Sequence, residues 1–290
     1  MNAITRMEAQ EWVNELCERR RARHRGRDVL EDDDTVPYLS AATIHDVVHI
    51  MTGLYKAATQ EQPPIVLTNP FQDLELPKRD ARAVEFYERD EATALYEALE
   101  ELFGVMKWRT LVELGMDVGL RPGEIYGLHG HRVDWMRGKV SVRHVMTREG
   151  LREYPKSMRS RRRVPVPPAT LEAMSRLMVG RPHDALVFTA PGGGHVDDGH
   201  VRNRVWYPAV EAAKIRRFPP RVMRHTAAGW LVQDAVPLYD IQALLGHESF
   251  ATTQRYAHLA PDAHARVVKA WASRLDARVT HESREPGSSE

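Results

Sequence analysis

The sequence predicts a mainly α-helical (α+β) fold in which a small antiparallel β-sheet lies between two groups of helices. Apolar residues recur at the spacing of amphipathic helices through most of the 290-residue chain. Between residues 139 and 166, short segments rich in valine and arginine are typical of strands instead. Four prolines fall within the segment 60–78, which predicts an irregular linker between two domains.

The first predicted domain, residues 1–80, holds two helices. Thr5 and Glu8 have the spacing of a capping box, which predicts a helix over about 6–20. A second apolar stripe predicts a helix over about 41–58. The highly charged stretch between the two helices is expected to be a loop, so this domain is a small helical module.

The second predicted domain, residues 89–276, combines helices with the sheet. Its helices are expected at about 90–103, 106–118, 169–179, 198–213, 222–235, 237–245, 250–258 and 262–276, with a short helix that begins at Pro122. Its strands are expected at 139–145, 151–154 and 163–166. The polar tail 277–290 is expected to be disordered.

Composition restricts the class of protein and its compartment. Cys17 is the one cysteine of the chain, so no intramolecular disulfide forms, which fits a reducing environment. No apolar run approaches the roughly 18 residues that span a bilayer. The N-terminus lacks the basic-then-apolar order of a secretory signal. We therefore expect a cytoplasmic protein with no membrane partner.

Charge is distributed unevenly along the chain. Residues 1–88 hold 11 Lys/Arg and 16 Asp/Glu, a net −5, whereas residues 89–290 hold 30 and 24, a net +6. The positive half has two dense basic clusters, which are Lys156, Arg159, Arg161, Arg162 and Arg163, and then Arg216, Arg217, Arg221 and Arg224. Such clusters suit the binding of a polyanion, although a solvated charged surface would show the same pattern.

Other kinds of catalytic site are not indicated. The sequence has no Gly-rich phosphate loop followed by lysine, no Gly-x-Ser-x-Gly and no cysteine pair for zinc. None of its 14 histidines forms a helical His-x-x-x-His pair beside a glutamate base. We expect neither a cofactor nor a metal.

Four separated motifs carry the strongest functional signal. They are GLRPGEI at 119–125, PKSMRSRRRVP at 155–165, RVMRHTAA at 221–228, and LLGHES at 244–249 followed by ATTQRYAHL at 251–259. In this order and spacing they resemble the catalytic domain of the tyrosine recombinases, the phage integrase family. The resemblance covers about residues 92–268.

The resemblance implies site-specific cleavage and rejoining of DNA without ATP or metal. Tyr256 would attack the phosphodiester, forming a 3′-phosphotyrosine and freeing a 5′-hydroxyl. Arg121 and Arg224 would hold the non-bridging oxygens, because planar guanidinium matches phosphate. Lys156 would protonate the leaving oxygen, and His247 would donate a hydrogen bond to the phosphate.

The same residues also admit plain structural roles. Tyr256 fits a core position of a final amphipathic helix, and Arg121 can pair with Glu124 at a helix end. His247 can cap a helix, and Lys156 can make an ordinary phosphate contact in a basic loop. The flanking arginines are expected to contact the DNA backbone; they are Arg159, Arg161, Arg162 and Arg163.

One position departs from the family pattern. Arg221 stands where the family usually has a histidine that helps to handle the tyrosine proton. An arginine cannot accept a proton, but it can donate to phosphate, and the related type IB topoisomerases carry lysine at the corresponding place. We interpret Glu124 as a residue that orients Arg121, and His225 as structural.

Residues 1–88 resemble the family's core-binding domain, a helical module that helps to clamp DNA. The segments that carry this likeness are AIT at 3–5, ATI at 42–44 and NPF at 69–71. Met1 falls almost at the first helix, so we expect this domain to be N-terminally short. The implied partners are double-stranded DNA, further copies of the chain in a homo-tetramer on DNA, and an accessory directionality factor.

Three alternative functions remain open on the sequence. A type IB topoisomerase-like enzyme would relax DNA with overlapping residues. A catalytically impaired, DNA-binding remnant of an integrase would fit the short N-terminus and Arg221. A helical protein that binds other proteins would leave the basic hairpin and the ordered motifs unexplained.

Overall fold

The computed structural model of the chain describes residues 4–19, 38–79, 84–104, 106–153, 161–261, 268 and 271–272. It divides into two compact units, residues 1–83 and 84–290. The domain bounds expected from the sequence, 1–80 and 89–276, stay predictions. The predicted tail 277–290 lies outside the described residues, as does most of the predicted helix 262–276.

The described part of the first unit contains two helices. Helix α1, Arg6–Glu18, begins with the predicted capping box of Thr5 and Glu8, and helix α2 spans Ala41–Gln60. Their apolar faces form a small core, in which Val13, Leu16, Ile44 and Val48 are buried. Beyond α2, Phe71 packs edge-on against Trp12, with ring centroids 5.7 Å apart. The segment after α2 is irregular, because its prolines cannot continue a helix.

The second unit is built mostly from helices around one large apolar core. Leu95, Leu111, Leu114 and Trp206 are among its most buried side chains. The helices are α3 Arg89–Phe103, α4 Met106–Met116, α5 Pro122–Tyr126, α6 Pro168–Leu177, α7 Asp198–Val201, α8 Tyr207–Ala212, α9 Val222–Gln233, α10 Leu238–Leu245 and α11 Phe250–Gln254.

Within the described residues, five short strands form two small antiparallel sheets. Strand β2, Lys139–Val142, pairs with β1, Val133–Asp134, on one side and with β5, Arg162–Pro165, on the other. Strands β3, His144–Thr147, and β4, Gly150–Glu153, form a separate hairpin. The predicted fold class, mainly α with a small antiparallel β component, is confirmed. The single strand expected at 139–145 is instead two strands that belong to different sheets.

The predicted helix 198–213 is interrupted. Between α7 and α8, residues Arg202–Trp206 form a π-helical segment, and the N–H of Tyr207 donates to the carbonyl of Arg202. Pro208 follows at the start of α8. Because proline has no N–H and its ring crowds the preceding turn, it accounts for the wider hydrogen-bond pattern here.

Helix α11 ends earlier than predicted. It stops at Gln254, and a 3-10 turn at Ala257–Leu259 follows. Tyr256 therefore lies just beyond the helix rather than on its apolar face. Across the described ranges, no helix has both the length and the apolar composition that a membrane crossing requires.

Candidate active site

The motif around Arg121 forms the start of helix α5. Arg121 is the N-cap, and Pro122 is the first helical residue, where its missing N–H is not needed. The carboxylate of Glu124 accepts hydrogen bonds from the backbone N–H and from Nη1 of Arg121, both at 3.0 Å. The Glu124 side chain is 1% exposed, and that of Arg121 is 41% exposed. This local pairing orients the Arg121 guanidinium, and the arginine side chain is only partly buried.

Arg162 is a second cation on the same carboxylate. It lies two residues before buried Val164 on strand β5, so its side chain faces the same side of the sheet. Nη1 and Nη2 donate to the two oxygens of Glu124 at 3.0 and 2.8 Å, and Nε donates to the carbonyl of Leu244 at 2.7 Å. The sequence predicts that Arg162 contacts the DNA backbone. In the structure, its guanidinium instead donates to Glu124 and to the carbonyl of Leu244.

Arg224 lies in the first turn of α9 and is 9% exposed. Its guanidinium donates to the carbonyl of Gly119 at 2.9 Å and to the carbonyl of Leu245. Gly119 has a φ of +78°, and a Cβ there would lie 2.3 Å from a methyl carbon of Leu245, so only glycine fits. Burial, and then the charge of Arg121, lower the pKa of Arg224 to about 9, so it stays charged at pH 7.

His247 follows the end of α10. Gly246 adopts the left-handed conformation that ends the helix, and the next residue turns back towards the core, where His247 is 7% exposed. Its Nδ1 lies 2.9 Å from Oγ1 of Thr253. Burial, and then the charges of Arg224, Arg121 and Arg162, lower the pKa of His247 to about 4. The imidazole is therefore neutral at pH 7.

Tyr256 is buried, and its hydroxyl has a histidine partner. The tyrosine is 3% exposed, and its Oη lies 2.5 Å from Nδ1 of His225 on helix α9. Burial raises the pKa of Tyr256, while the charges of Arg224 and Arg255 act to lower it. Burial, followed by the charges of Arg255, Arg221 and Arg224, lowers the pKa of His225.

These side chains lie close enough for their charges to act on one another. The charges of Arg121 and Arg224 both act on His247, and Arg224 also acts on Tyr256. Glu124 forms ion pairs with Arg121 and Arg162, and its charge also acts on the nearby Arg224. Excess positive charge around a partly enclosed point favours an anion such as a phosphodiester.

A cavity of about 290 Å³ opens beside this cluster. It is lined on one side by the strand that bears Arg162 and on the other by α10 and the turn at His247. The lining residues are Arg161, Arg162, Tyr239, Gln242, Ala243, Gly246 and His247. The cavity therefore lies directly against Arg162 and His247 of the cluster.

Two predicted site residues, Lys156 and Arg159, lie outside the described residues. Arg161 and Arg163 are exposed, and Arg161 donates to Glu153 at 3.2 Å. Arg221 is exposed at the N-cap of α9. Within the described part of the chain, no group of three or more His, Cys, Asp or Glu residues has the arrangement of a metal site.

Sequence reasoning missed two features of this site. Arg162 and the apolar Val164 are two residues apart, so on a strand both side chains lie on the same face. This signal for an inward Arg162 is hidden in the sequence by the run of arginines at 161–163. The contact of His225 with Tyr256 joins residues 31 apart, and the sequence holds no local signal for it. From the sequence, His225 is interpreted as structural, and no contact with the Tyr256 hydroxyl is predicted.

Comparison with known families gives an independent result. The sequence profile described as the phage integrase family matches residues 85–263, which is more than half of the chain. The match includes the four motifs between residues 119 and 259. It begins near the start of the second compact unit.

Curated relatives give the same result. The chain is 27% identical over 232 residues to the "Tyrosine recombinase XerC" of Bacillus subtilis (strain 168), which covers 77% of this chain and 72% of the relative. It is 31% identical over 193 residues to the protein of the same name in Pseudomonas aeruginosa (strain LESB58), covering 66% of this chain. The alignment spans only 60% of that relative's length.

Solved structures share the fold. The Tn1549 transposon integrase in complex with a circular intermediate DNA superposes with a TM-score of 0.71 at 17% identity, covering 95% of this chain and 86% of that one. A lambda integrase dimer bound to a COC′ core site superposes with a TM-score of 0.56 at 16% identity, covering 87% and 82%. At these identities, the likeness concerns the fold alone.

Proposed function

The chain belongs to the phage integrase family of tyrosine recombinases, and we propose that it cleaves and rejoins double-stranded DNA through a covalent bond to Tyr256. The observation that carries this proposal is the grouping of Arg121, Arg224 and His247 with the buried Tyr256 hydroxyl. The reaction is a phosphoryl transfer to the phenolic oxygen that frees a 5′-hydroxyl. Its reversal needs no ATP, because the phosphotyrosine ester keeps the energy of the cleaved bond.

The cations are proposed to hold the scissile phosphate. Arg121 and Arg224 would each donate to a non-bridging oxygen, since a guanidinium presents its donors in a planar fork. The two carbonyls that accept from Arg224 fix its orientation before substrate binds. A preset donor costs no reorganisation during reaction, which is why such groups stabilise transition states.

His247 is proposed to donate through Nε2. Its lowered pKa leaves a neutral ring at pH 7, which carries one N–H. If the Thr253 hydroxyl donates to Nδ1 across their 2.9 Å contact, the ring proton lies on Nε2. In that arrangement, Thr253 would select the tautomer that presents a donor to the phosphate.

Lys156 is proposed as the acid that protonates the leaving 5′-oxygen, as the family resemblance implies. Arg159, Arg161 and Arg163 are proposed to contact the DNA backbone, where each would contribute charge rather than sequence recognition. Arg162 has a different proposed role, because its guanidinium is bonded to Glu124 and Leu244. It would position Glu124, which in turn orients Arg121.

Recombination rather than relaxation is proposed as the outcome, with four copies of the chain acting on DNA, an accessory directionality factor and a cytoplasmic location. Both curated relatives described above carry the name of a tyrosine recombinase. Size analysis of the protein on a DNA target distinguishes the two outcomes. Tetramers support recombination, whereas monomers that relax supercoiled plasmid support the topoisomerase-like alternative.

A nicked substrate tests the covalent step. Loss of the short fragment beside the nick prevents rejoining, so an active enzyme accumulates a protein–DNA adduct that survives denaturation. We expect the adduct with the wild-type chain and none with Tyr256→Phe. Tyr207→Phe is the matched control, because it removes a hydroxyl while keeping the ring that Arg217 covers at 3.9 Å. Sequence-specific binding without any adduct would instead identify a DNA-binding remnant.

A further inference from the structure

The hydroxyl of Tyr256 contacts an imidazole that the proposed mechanism has not yet used. Nδ1 of His225 lies 2.5 Å from Oη of Tyr256, and the two rings are 6.0 Å apart with an interplanar angle of 37°. This is a short O–H···N separation, at the lower limit of hydrogen-bond lengths. The imidazole nitrogen therefore touches the oxygen that has to attack the phosphate.

The proton in this contact resides on the tyrosine at neutral pH. Burial raises the pKa of Tyr256, and burial together with neighbouring arginines lowers the pKa of His225. The hydroxyl therefore donates to an unprotonated Nδ1, and the ring proton of His225 is on Nε2. A neutral imidazole in hydrogen-bond contact with the nucleophile has the geometry of a general base.

Arg221, one helical turn before His225, cannot act as the proton acceptor. Arg221 precedes His225 by four residues, which places both on one face of the α9 start. A guanidinium does not accept a proton in proteins. Among the described residues, His225 is thus the titratable group in contact with the Tyr256 oxygen.

We infer that His225 takes the hydroxyl proton of Tyr256 during cleavage and returns it during rejoining. The O–H bond breaks and its proton passes to Nδ1, while the electron pair of the oxygen forms the bond to phosphorus. The bond from phosphorus to the 5′-oxygen breaks, and that oxygen takes a proton from the proposed acid, Lys156. Rejoining reverses each transfer. This inference rests on the proposed function.

The charges around His225 explain when the transfer becomes favourable. The groups that face it are Arg221 at the N-cap of α9, Arg224 on α9, Arg255 and Tyr256 just after α11, and His247 after α10. In the DNA-free chain, the three arginines disfavour a charged imidazole. A bound phosphodiester brings a negative charge that offsets theirs, so the imidazolium forms more readily once substrate is in place.

The substitution His225→Asn separates proton transfer from positioning. The asparagine amide can accept a hydrogen bond from Tyr256, but it cannot take a proton. We expect the single-turnover rate of adduct formation on nicked DNA to fall about 100-fold or more, the usual contribution of a general base. His258→Asn is the matched control, because His258 is exposed two residues beyond Tyr256, and its rate is expected to stay at the wild-type value.

A change in the acidity of the nucleophile provides the second readout. Fluorinated tyrosine at position 256 ionises more easily, so it depends less on a base. We expect it to restore a large part of the rate lost in His225→Asn and to change the wild-type rate much less. This rescue also shows that the variant is folded. Equal effects of fluorination in both proteins would overturn the inference.

A substrate with a 5′-bridging sulfur distinguishes the base from the acid. A thiolate leaves without protonation, so this substrate should rescue Lys156→Ala and leave His225→Asn slow. Rescue of His225→Asn would place His225 on the leaving-group side and overturn the inference. If His225→Asn forms adduct at the wild-type rate while Tyr256→Phe forms none, the inference fails and the proposed function stands. If the wild-type chain forms no adduct, both fail.

Discussion

Arg161 and Arg162 are consecutive residues in opposite surroundings. The side chain of Arg162 is 7% exposed and pairs with Glu124, which is 1% exposed, whereas Arg161 is 36% exposed and pairs with Glu153, which is 60% exposed. Exposed pairs contribute about 0–1 kcal/mol, but removal of one partner from a buried pair costs about 3–5 kcal/mol. Burial therefore places Arg162 among the groups that hold the site together and leaves Arg161 at the surface, where we propose that it contacts DNA.

The same contrast applies to the rest of the positive half. Arg224 is buried and bonded to two carbonyls, while Arg163 is exposed on strand β5. We expect changes in the buried group to affect the chemical step and the stability of the fold. Changes in the exposed group should affect DNA affinity and its dependence on salt.

The largest expected effect is on catalysis at Arg224. Arg224→Lys keeps a charge but cannot bond to both carbonyls and still present a planar fork. We expect the single-turnover rate of adduct formation to fall about 10²- to 10³-fold, the usual cost of one preset donor. Arg217→Lys, on an arginine that lies over the ring of Tyr207, should leave the rate unchanged. Equal rates in Arg224→Lys and Arg217→Lys would contradict the distinction between the buried and the exposed arginines.

The next effect is on stability at Glu124. Glu124→Gln leaves Arg162 buried without its counter-charge, so urea unfolding should show a loss of about 3–5 kcal/mol. Glu153→Gln is the matched control on the exposed pair, for which we expect a loss below about 1 kcal/mol. Similar losses in the two variants would show that burial does not separate the pairs.

A pH dependence follows from His247. Its pKa is about 4 in the folded chain, against the ordinary 6.5. Between these values the unfolded chain binds more protons, so stability falls as pH falls from about 6.5 to 4. His247→Asn should reduce this fall, as measured by thermal unfolding at several pH values. The exposed His258→Asn should follow the wild-type curve, and an unchanged curve for His247→Asn would refute the assignment.

The smallest expected effect is on DNA affinity at Arg163. Arg163→Ala should weaken binding similarly for all sequences and reduce the slope of log affinity against log salt by about 1. Fluorescence anisotropy over a salt series measures this slope. Arg162→Gln should lower stability and keep the slope, because Arg162 is bonded within the protein. A reduced slope in Arg162→Gln would show that it contacts phosphate after all.

The sequence was sufficient for much of the fold because local signals agreed there. The capping boxes at Thr5 and Arg121 and the glycine at 119 depend on neighbouring residues or on backbone geometry, and each lies where a helix was expected to begin or end. The order of helices and strands followed from periodicity in the same way.

The parts that could not be predicted depend on contacts between distant segments. The pairing of Arg162 with Glu124 spans 38 residues, and that of His225 with Tyr256 spans 31. The early end of α11 takes Tyr256 off the helical face that periodicity assigned to it. No local pattern encodes these contacts, so their chemistry becomes visible only in the folded chain.

The most direct test of the central claim is to locate the DNA on the protein. The adduct formed on nicked DNA is digested with nuclease and protease, and the peptide that carries the nucleotide is identified by mass spectrometry. The account predicts a single modified residue, Tyr256, joined through a 3′-phosphate. A nucleotide on any other residue, or a 5′-phosphate linkage at Tyr256, would contradict it.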